Sequence, residues 1–390
     1  MRLRGERGQT TTEYVMIAGL ITACAIALLG FMYPSLRTSL RNAAECVMGD
    51  VCEEGPSSGG PSFGGVGGGS GASGGSGYTY PIPVPVPGGT SVGAANPKFG
   101  DVGRGFFDSI YYWLRPDKAC DDAKKSGDSN AIAVACGSYA AVPGVPFAKG
   151  TGDSCCIAAN DVEQGGIGDC YLMAGLMAVA NQNPGLINDA ITDNGDGTYK
   201  VRLYVRDFFG RLKPVYETVD ANFPTYNGQS VFAQSGDTAG GKAELWPMLI
   251  EKAYAQNQGG YSDIEGGFAG DAVELLTGKP ADHYSGGQKD LTAEWLAAQQ
   301  QKGATITLGS LPKSKAAKNP LYSSSRPENQ RLFAGHAYVV SAVDPKTGMV
   351  TIQNPWGWDQ FSMTISWKDF QSAFEDVYVN DIPKDSKCPC

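Results

Sequence analysis

Half of the 46 residues from Gly55 to Gly100 are Gly or Pro, 16 and 7 respectively, and such a stretch cannot build a core. Fixing its backbone costs entropy that no apolar burial returns. The run GGVGGGSGASGGSG reads as flexible coil, and PIPVPVP as a stiffer polyproline II spacer. The chain is therefore divided by its own composition. A short N-terminal piece ends near residue 48, a disordered linker covers 49–100, and anything that folds as a globular unit follows it.

The N-terminal piece is of another kind. Arg2, Arg4 and Arg7 precede 19 residues, Tyr14 to Met32, that carry no charge. As a helix this run is long enough to span a hydrocarbon core. Arginines ahead of it keep that end cytoplasmic and send the rest outward. A secretory signal would place its apolar run just before a small-residue cleavage site. Here Glu13 stands at the front edge of the run instead, five residues after Gly8. RGERG followed by QTTTEYVMIAGL resembles the class III leader of the type IV pilin family, most of all its small Flp branch. The resemblance implies a leader, 1–8, that a prepilin peptidase removes after Gly8, and a pilin-like transmembrane helix with a short tail, 9–48. In that family the glutamate, here Glu13, pairs with the new amino terminus of a neighbouring pilin subunit. A plain membrane anchor is the alternative. Either way the expectation is a single pass through the bacterial cytoplasmic membrane with the remainder extracytoplasmic, at the surface or on a pilus.

The net charge of −9 and the lack of any basic cluster argue against nucleic acid as a partner. Ten cysteines are many for a reducing compartment. With Cys24 in the apolar run and Cys170 set aside, an even number remains, as disulfides require. Cys46 with Cys52, and Cys120 with Cys136, are the first pairs to expect. No Cys-x-x-Cys or His spacing suggests a zinc site.

Cys170 lies in DVEQGGIGDCYL, where Gly165, Gly166 and Gly168 precede it. After it Leu172, Met173, Leu176, Val179 and Ala180 recur at helical spacing, so a buried helix begins at about Asp169. A thiol at a helix start sits where the macrodipole favours the thiolate. Most free cysteines are merely small buried hydrophobes, and the rest of the chain decides between the two. The chain has two histidines. His336 lies in LFAGHAYVVSAVD, a β-rich run that ends at the turn PKTG, and MVTIQNPWGW follows. A hairpin centred there pairs residues whose numbers sum to 690–693, which brings Asn354 or its successors opposite His336. An imidazole that takes a thiol proton, held by an amide, is what a thiol protease needs. His283 reads as a surface or loop residue.

QGGIGDCYLMAGL, GHAYVV and QNPWG resemble the cysteine, histidine and asparagine segments of calpain-type cysteine proteases. DANFPTYNGQSVFAQS, ELWPMLIEKAYAQNQGGYSDIEGG and AVELLTG run between them in the calpain order. The resemblance covers about residues 153–382, more than half of the chain. It implies a two-lobed papain-like α+β domain at 153–383, a helical lobe and a β-rich lobe with polypeptide bound extended between them. Residues 101–152 would extend or occlude the first lobe, and 384–390 form a Cys-rich tail. It further implies Cys170 as nucleophile, His336 as base and acid, Asn354 as orienting residue and Gln164 as oxyanion-hole donor. Trp356 would shield the triad, and the backbones of Gly267 and Gly335 would hold substrate. The chemistry itself needs no cofactor.

Calpain cores also bind calcium in both lobes, and Asp161 and Glu244 match first-lobe ligands. The second lobe departs from the pattern, with Gln360 where a carboxylate stands in the family. One first-lobe calcium fits these residues and two do not; an EF-hand loop is absent. The expected function is a calpain-like cysteine endopeptidase displayed outside the membrane. The alternatives are a pilin-like surface protein with a catalytically dead protease fold, and a transglutaminase-like acyltransferase, which would favour aspartate over Asn354.

Overall fold

The computed structural model describes residues 96, 97, 99 and 116–385, apart from 151, 152, 154, 208, 237, 240, 241 and 358–361. Gly8, Glu13, the Tyr14–Met32 run, Cys46, Cys52 and Gln360 lie outside the described residues. Among the described residues no helix is long and apolar enough to cross a membrane.

The first lobe opens with α1 (Pro116–Ser126) and α2 (Ser129–Cys136), stapled by the expected Cys120–Cys136 disulfide. Asp128 caps α2 by accepting from the backbone N–H groups of Asn130 and Ala131. Then come β1 (Ser138–Ala141) and the central helix α3 (Cys170–Gln182), with Asp169 at its N-cap. Every residue from Tyr171 to Ala180 is buried, so the helical periodicity seen in sequence marks a helix wrapped on all sides. The three-stranded antiparallel sheet β2 (Ile191–Asp193), β3 (Thr198–Arg206) and β4 (Leu212–Asp220) follows. After it β5 (Asn222–Tyr226) pairs antiparallel with β1, and α4 (Trp246–Gln258) and α5 (Ala269–Thr277) complete the lobe.

Three residues of the 49–100 stretch pack on this lobe. Lys252, fully buried on α4, is held by Asp220 Oδ1 at 2.6 Å, Asn222 O at 2.6 Å and Asn96 Oδ1 at 2.9 Å. The Tyr139 hydroxyl donates to Pro97 O at 2.6 Å, and Phe99 packs edge-on to Tyr139 and Phe232. A buried ammonium must find acceptors. Asn96 supplies one.

The second lobe is a six-stranded antiparallel sheet. Its strands are β6 (Ala281–Ser285), β7 (Thr305–Ser310), β8 (Ala337–Asp344), β9 (Met349–Gln353), β10 (Ser362–Ser366) and β11 (Phe374–Asn380). Their order is β6–β11–β7–β8–β9–β10. Each lobe has its own hydrophobic core, and β8 is the wall between them. Ala337 and Val339 join the first core, while Tyr338 and Val340 join the second, as strand alternation dictates. The β8–β9 ladder pairs Val339 with Gln353 and Asp344 with Met349, inside the register expected from sequence. His283 is a surface residue, on β6 rather than in a loop, bonded to Asp376 at 2.7 Å and stacked on Tyr378.

Candidate active site

Cys170 is the first residue of α3, at the end of a loop bonded on three sides. Gly166 N–H donates to Val231 O at 2.8 Å, and Gly168 O accepts from Gly266 N–H at 2.9 Å. Gln164 N–H crosses to the other lobe and donates to Pro355 O at 2.8 Å. Gly267 runs against α3, where a Cβ would sit 2.6 Å from the Tyr171 ring. Cys155 and Cys156 are disulfide-bonded, which leaves Cys170 as the one free thiol among the described residues.

His336 stands immediately before β8. Its backbone N–H donates to Ser310 Oγ at 2.8 Å and its carbonyl accepts from Ser310 N–H at 2.9 Å, so β7 fixes its place. Gly335 before it takes φ +64°, a left-handed turn that glycine allows without strain. Asn354 lies just past β9, and its Oδ1 is 2.8 Å from His336 Nε2. The pair is reached diagonally, because the ladder itself pairs Val339 with Gln353 and carries an irregularity between Val340 and Ala342. Trp356 N–H donates to the same Oδ1 at 3.1 Å. That donor fixes which way the amide points, so Nε2 is the ring nitrogen carrying the proton and Nδ1 is left to accept another. The Trp356 ring packs 4.6 Å from the imidazole and 4.4 Å from Phe333. His336 and Asn354 are both buried.

The carrier strand of His336 meets the nucleophile at the next residue, where Ala337 N–H faces the Cys170 sulfur. Among the described residues no hydrogen bond joins Cys170 to His336. Burial pushes the thiol up to about 12, with the Asp169 charge adding to it, and Ala337 N–H opposes. At this burial desolvation outweighs the helix dipole that favours the thiolate. Burial likewise pushes His336 down to about 4, against the Asn354 hydrogen bond. Gln164, also buried, turns its Nε2 onto Ile167 O at 2.6 Å. Behind the loop, Asp169 and Glu251 form a buried carboxyl pair that the sequence reading missed; burial pushes Asp169 up to about 7.

A helix-borne thiol, an amide-held imidazole on the facing strand and a buried glutamine amide can together perform acyl transfer to sulfur. The sequence pattern described as "Calpain family cysteine protease" matches residues 153–382. The chain belongs to the calpain family. It is 27% identical over 228 residues to Calpain clp-4 of Caenorhabditis elegans, covering 56% of this chain and 30% of that one. It is 26% identical over 228 residues to Calpain-9 of Mus musculus, with 57% and 31% covered. To Calpain-A of Drosophila melanogaster it is 29% identical over 223 residues, with 50% and 24% covered. The chain thus spans less than a third of the length of these calpains.

The two residues that match calcium ligands of the calpain core come together. Asp161 and Glu244 are both buried, and their carboxyl groups are neighbours. Asp161 Oδ2 accepts from Ala158 N–H at 2.7 Å and Trp246 Nε1–H at 3.0 Å, while its Oδ1 receives no hydrogen bond. Glu244 Oε1 accepts from Ala148 N–H at 2.6 Å. Burial pushes Asp161 up to about 6. Among the described residues no group of three or more His, Cys, Asp and Glu could hold a metal, so an ion here would draw further oxygens from the backbone or water. Two neighbouring buried carboxyls, with Asp161 Oδ1 outside the backbone and Trp246 hydrogen bonds, are what the structure offers a cation here.

Proposed function

We propose that this chain hydrolyses peptide bonds of polypeptides held extended between the two lobes. The observation that carries the reading is the His336 Nε2–Asn354 Oδ1 contact of 2.8 Å beside the thiol-bearing helix start. His336 Nδ1 takes the Cys170 proton as the sulfur attacks the scissile carbonyl. The imidazolium then protonates the leaving amine, and water resolves the acyl-enzyme through the same base. Asn354 holds the ring plane, and Trp356 keeps water from the contact. Gln164 Nε2–H and the Cys170 N–H face the oxyanion, and the backbones of Gly267 and Gly335 receive the substrate strand.

The resting pair is neutral. Burial raises the thiol and lowers the imidazole, so the ion pair forms as substrate or cation binding brings His336 to the thiol. The lack of a Cys170–His336 hydrogen bond among the described residues favours the second reading, a surface protein with a silent protease fold. Incubating the purified chain with an unfolded polypeptide and, separately, with a thiol-directed peptide probe decides between them. Cleavage together with labelling of Cys170 is expected; labelling without cleavage supports the silent scaffold.

Calcium at Asp161 and Glu244 would supply charge neutralisation in the first lobe, nine residues before the nucleophile. Asp161, with its raised pKa, keeps a proton in the folded state that the unfolded chain releases near pH 4. Its burial penalty is therefore absent at pH 3, grows between about pH 4 and 6, and is complete at pH 7. Asp161→Asn is expected to raise Tm in chelator at pH 7, leave it unchanged at pH 3, and remove any gain from millimolar calcium. The amide introduced by this substitution still accepts from Ala158 and Trp246 and can donate toward Glu244. Equal calcium gains in both proteins, measured by calorimetry, would refute the assignment.

For the N-terminal residues we propose display outside the bacterial cytoplasmic membrane through a pilin-like anchor processed by a prepilin peptidase. The order Arg7, Gly8, Glu13 and the uncharged run to Met32 supports it. The mature protein is expected to begin at Gln9. An intact Met1 end would leave a simple anchor.

A further inference from the structure

The α1–α2 hairpin lies outside residues 153–382, which match the calpain family pattern, yet one of its side chains reaches the nucleophile loop. Asn130 Nδ2 donates to Gly166 O at 3.0 Å. The approach is so close that a Cβ on Gly166 would lie 1.9 Å from Asn130 Oδ1, so residue 166 must be glycine for the contact to exist. Asn130 is itself firmly placed. Its N–H is bonded to the cap Asp128 at 2.9 Å, and Ala133 and Val134 of the same helix are buried in the first core. At the far end Cys136 is bonded to Cys120, and β1 begins two residues later in its ladder with β5.

Gly166 is thus gripped from both sides, its N–H by Val231 O and its carbonyl by Asn130. The carbonyl of Gly166 and the N–H of Ile167 share one peptide plane, so holding the first orients the second. Ile167 O is in turn the acceptor of the Gln164 side-chain amide at 2.6 Å. Two hydrogen bonds joined by one peptide run from the disulfide-stapled hairpin to the side chain that faces the oxyanion.

We propose that Asn130 is a positioning residue for the oxyanion hole: by holding the Gly166 peptide it sets Ile167 and, through it, the Gln164 amide. The inference rests on the protease reading above. A side chain to backbone hydrogen bond of ordinary strength, about 0.5–1.5 kcal/mol, corresponds to roughly a threefold to tenfold effect.

The experiment compares full-length wild type, Asn130→Ala and Asn130→Asp. Aspartate keeps the shape but, when ionised, offers only acceptors to a carbonyl, so it should match or exceed the alanine effect. Three readouts separate positioning from general damage. The value of kcat should fall about threefold to tenfold with KM unchanged. The inhibition constant of a peptide aldehyde, whose thiol adduct places an oxygen in the oxyanion hole, should rise by the same factor. The rate of Cys170 alkylation by iodoacetamide, which forms no oxyanion, should stay at the wild-type value. Cys120→Ser/Cys136→Ser should give the same signature, and adding Asn130→Ala to it should give nothing more. The double substitution is used rather than a reductant because Cys170 needs its own thiol reduced. Unchanged aldehyde affinity in Asn130→Ala overturns the proposal, as does an equal fall in alkylation rate together with Tm. A wild type that neither cleaves peptides nor binds the aldehyde defeats the protease reading, and this proposal with it.

Discussion

Cys170→Ala is expected to remove peptide hydrolysis almost entirely while the protein stays folded. Loss of a covalent nucleophile lowers kcat by a factor on the order of 10⁶ in hydrolases of comparable chemistry. The residual rate would come from substrate binding and the oxyanion donors, which remain. Stability should change little, for three reasons. The side chain is only partly buried, it makes no disulfide, and alanine is a better helix former at the start of α3. The packing of that helix rests on Tyr171 to Ala180, all buried and none of them altered. A change near 1 kcal/mol moves Tm by only about 2–4 °C in a domain of this size. The thiol makes no ion pair among the described residues, so no ionic contact is lost at neutral pH. Hydrolysis that survives at more than about a thousandth of the wild-type rate would show that another group attacks the substrate. A collapsed melting curve would instead make Cys170 structural.

The helix start, the hairpin and the facing imidazole and amide were legible because each is a local pattern. The spacing from Leu172 to Ala180 follows the helix repeat, and the numbers around Pro345–Thr347 set a ladder register. What escaped the sequence depends on partners far along the chain. Asn130 and Gly166 are 36 residues apart, and nothing around Asp128-Ser129-Asn130 except a helix cap can be read locally. Asn96 lies in a stretch whose average composition forbids a core, yet it completes the shell of Lys252, 156 residues away. The charge state of the site escaped for a related reason. A helix dipole can be inferred from a helix start, but desolvation is known only when everything packed around Cys170 and His336 is in place. The Asp169–Glu251 pair is of this type too, since each carboxylate alone reads as an ordinary solvated residue.

Gln164→Ala should lower kcat by about 10²–10³ with little change in KM, the usual effect of losing one oxyanion donor. The variant isolates the side chain cleanly. The backbone N–H of residue 164 still donates to Pro355 O, so the tie between the lobes survives the substitution. What disappears is the amide that now rests on Ile167 O and, in the reacting complex, is to be shared with the developing negative oxygen. An interaction made mainly in the transition state changes kcat and leaves ground-state binding alone, and this is why KM should hold. Gln164→Glu provides the sharper contrast. It keeps the size but replaces two donors with acceptors, and as a carboxylate in a buried position it would repel the oxyanion. Its rate should therefore fall below that of Gln164→Ala at neutral pH. Burial raises a carboxyl's pKa, so the glutamate would become a neutral donor on acidification and recover part of the deficit, while Gln164→Ala would show no such recovery. A Gln164→Ala enzyme within about threefold of wild type in kcat would remove Gln164 from the oxyanion hole. It would leave Cys170 N–H, at the start of α3, as the donor that matters.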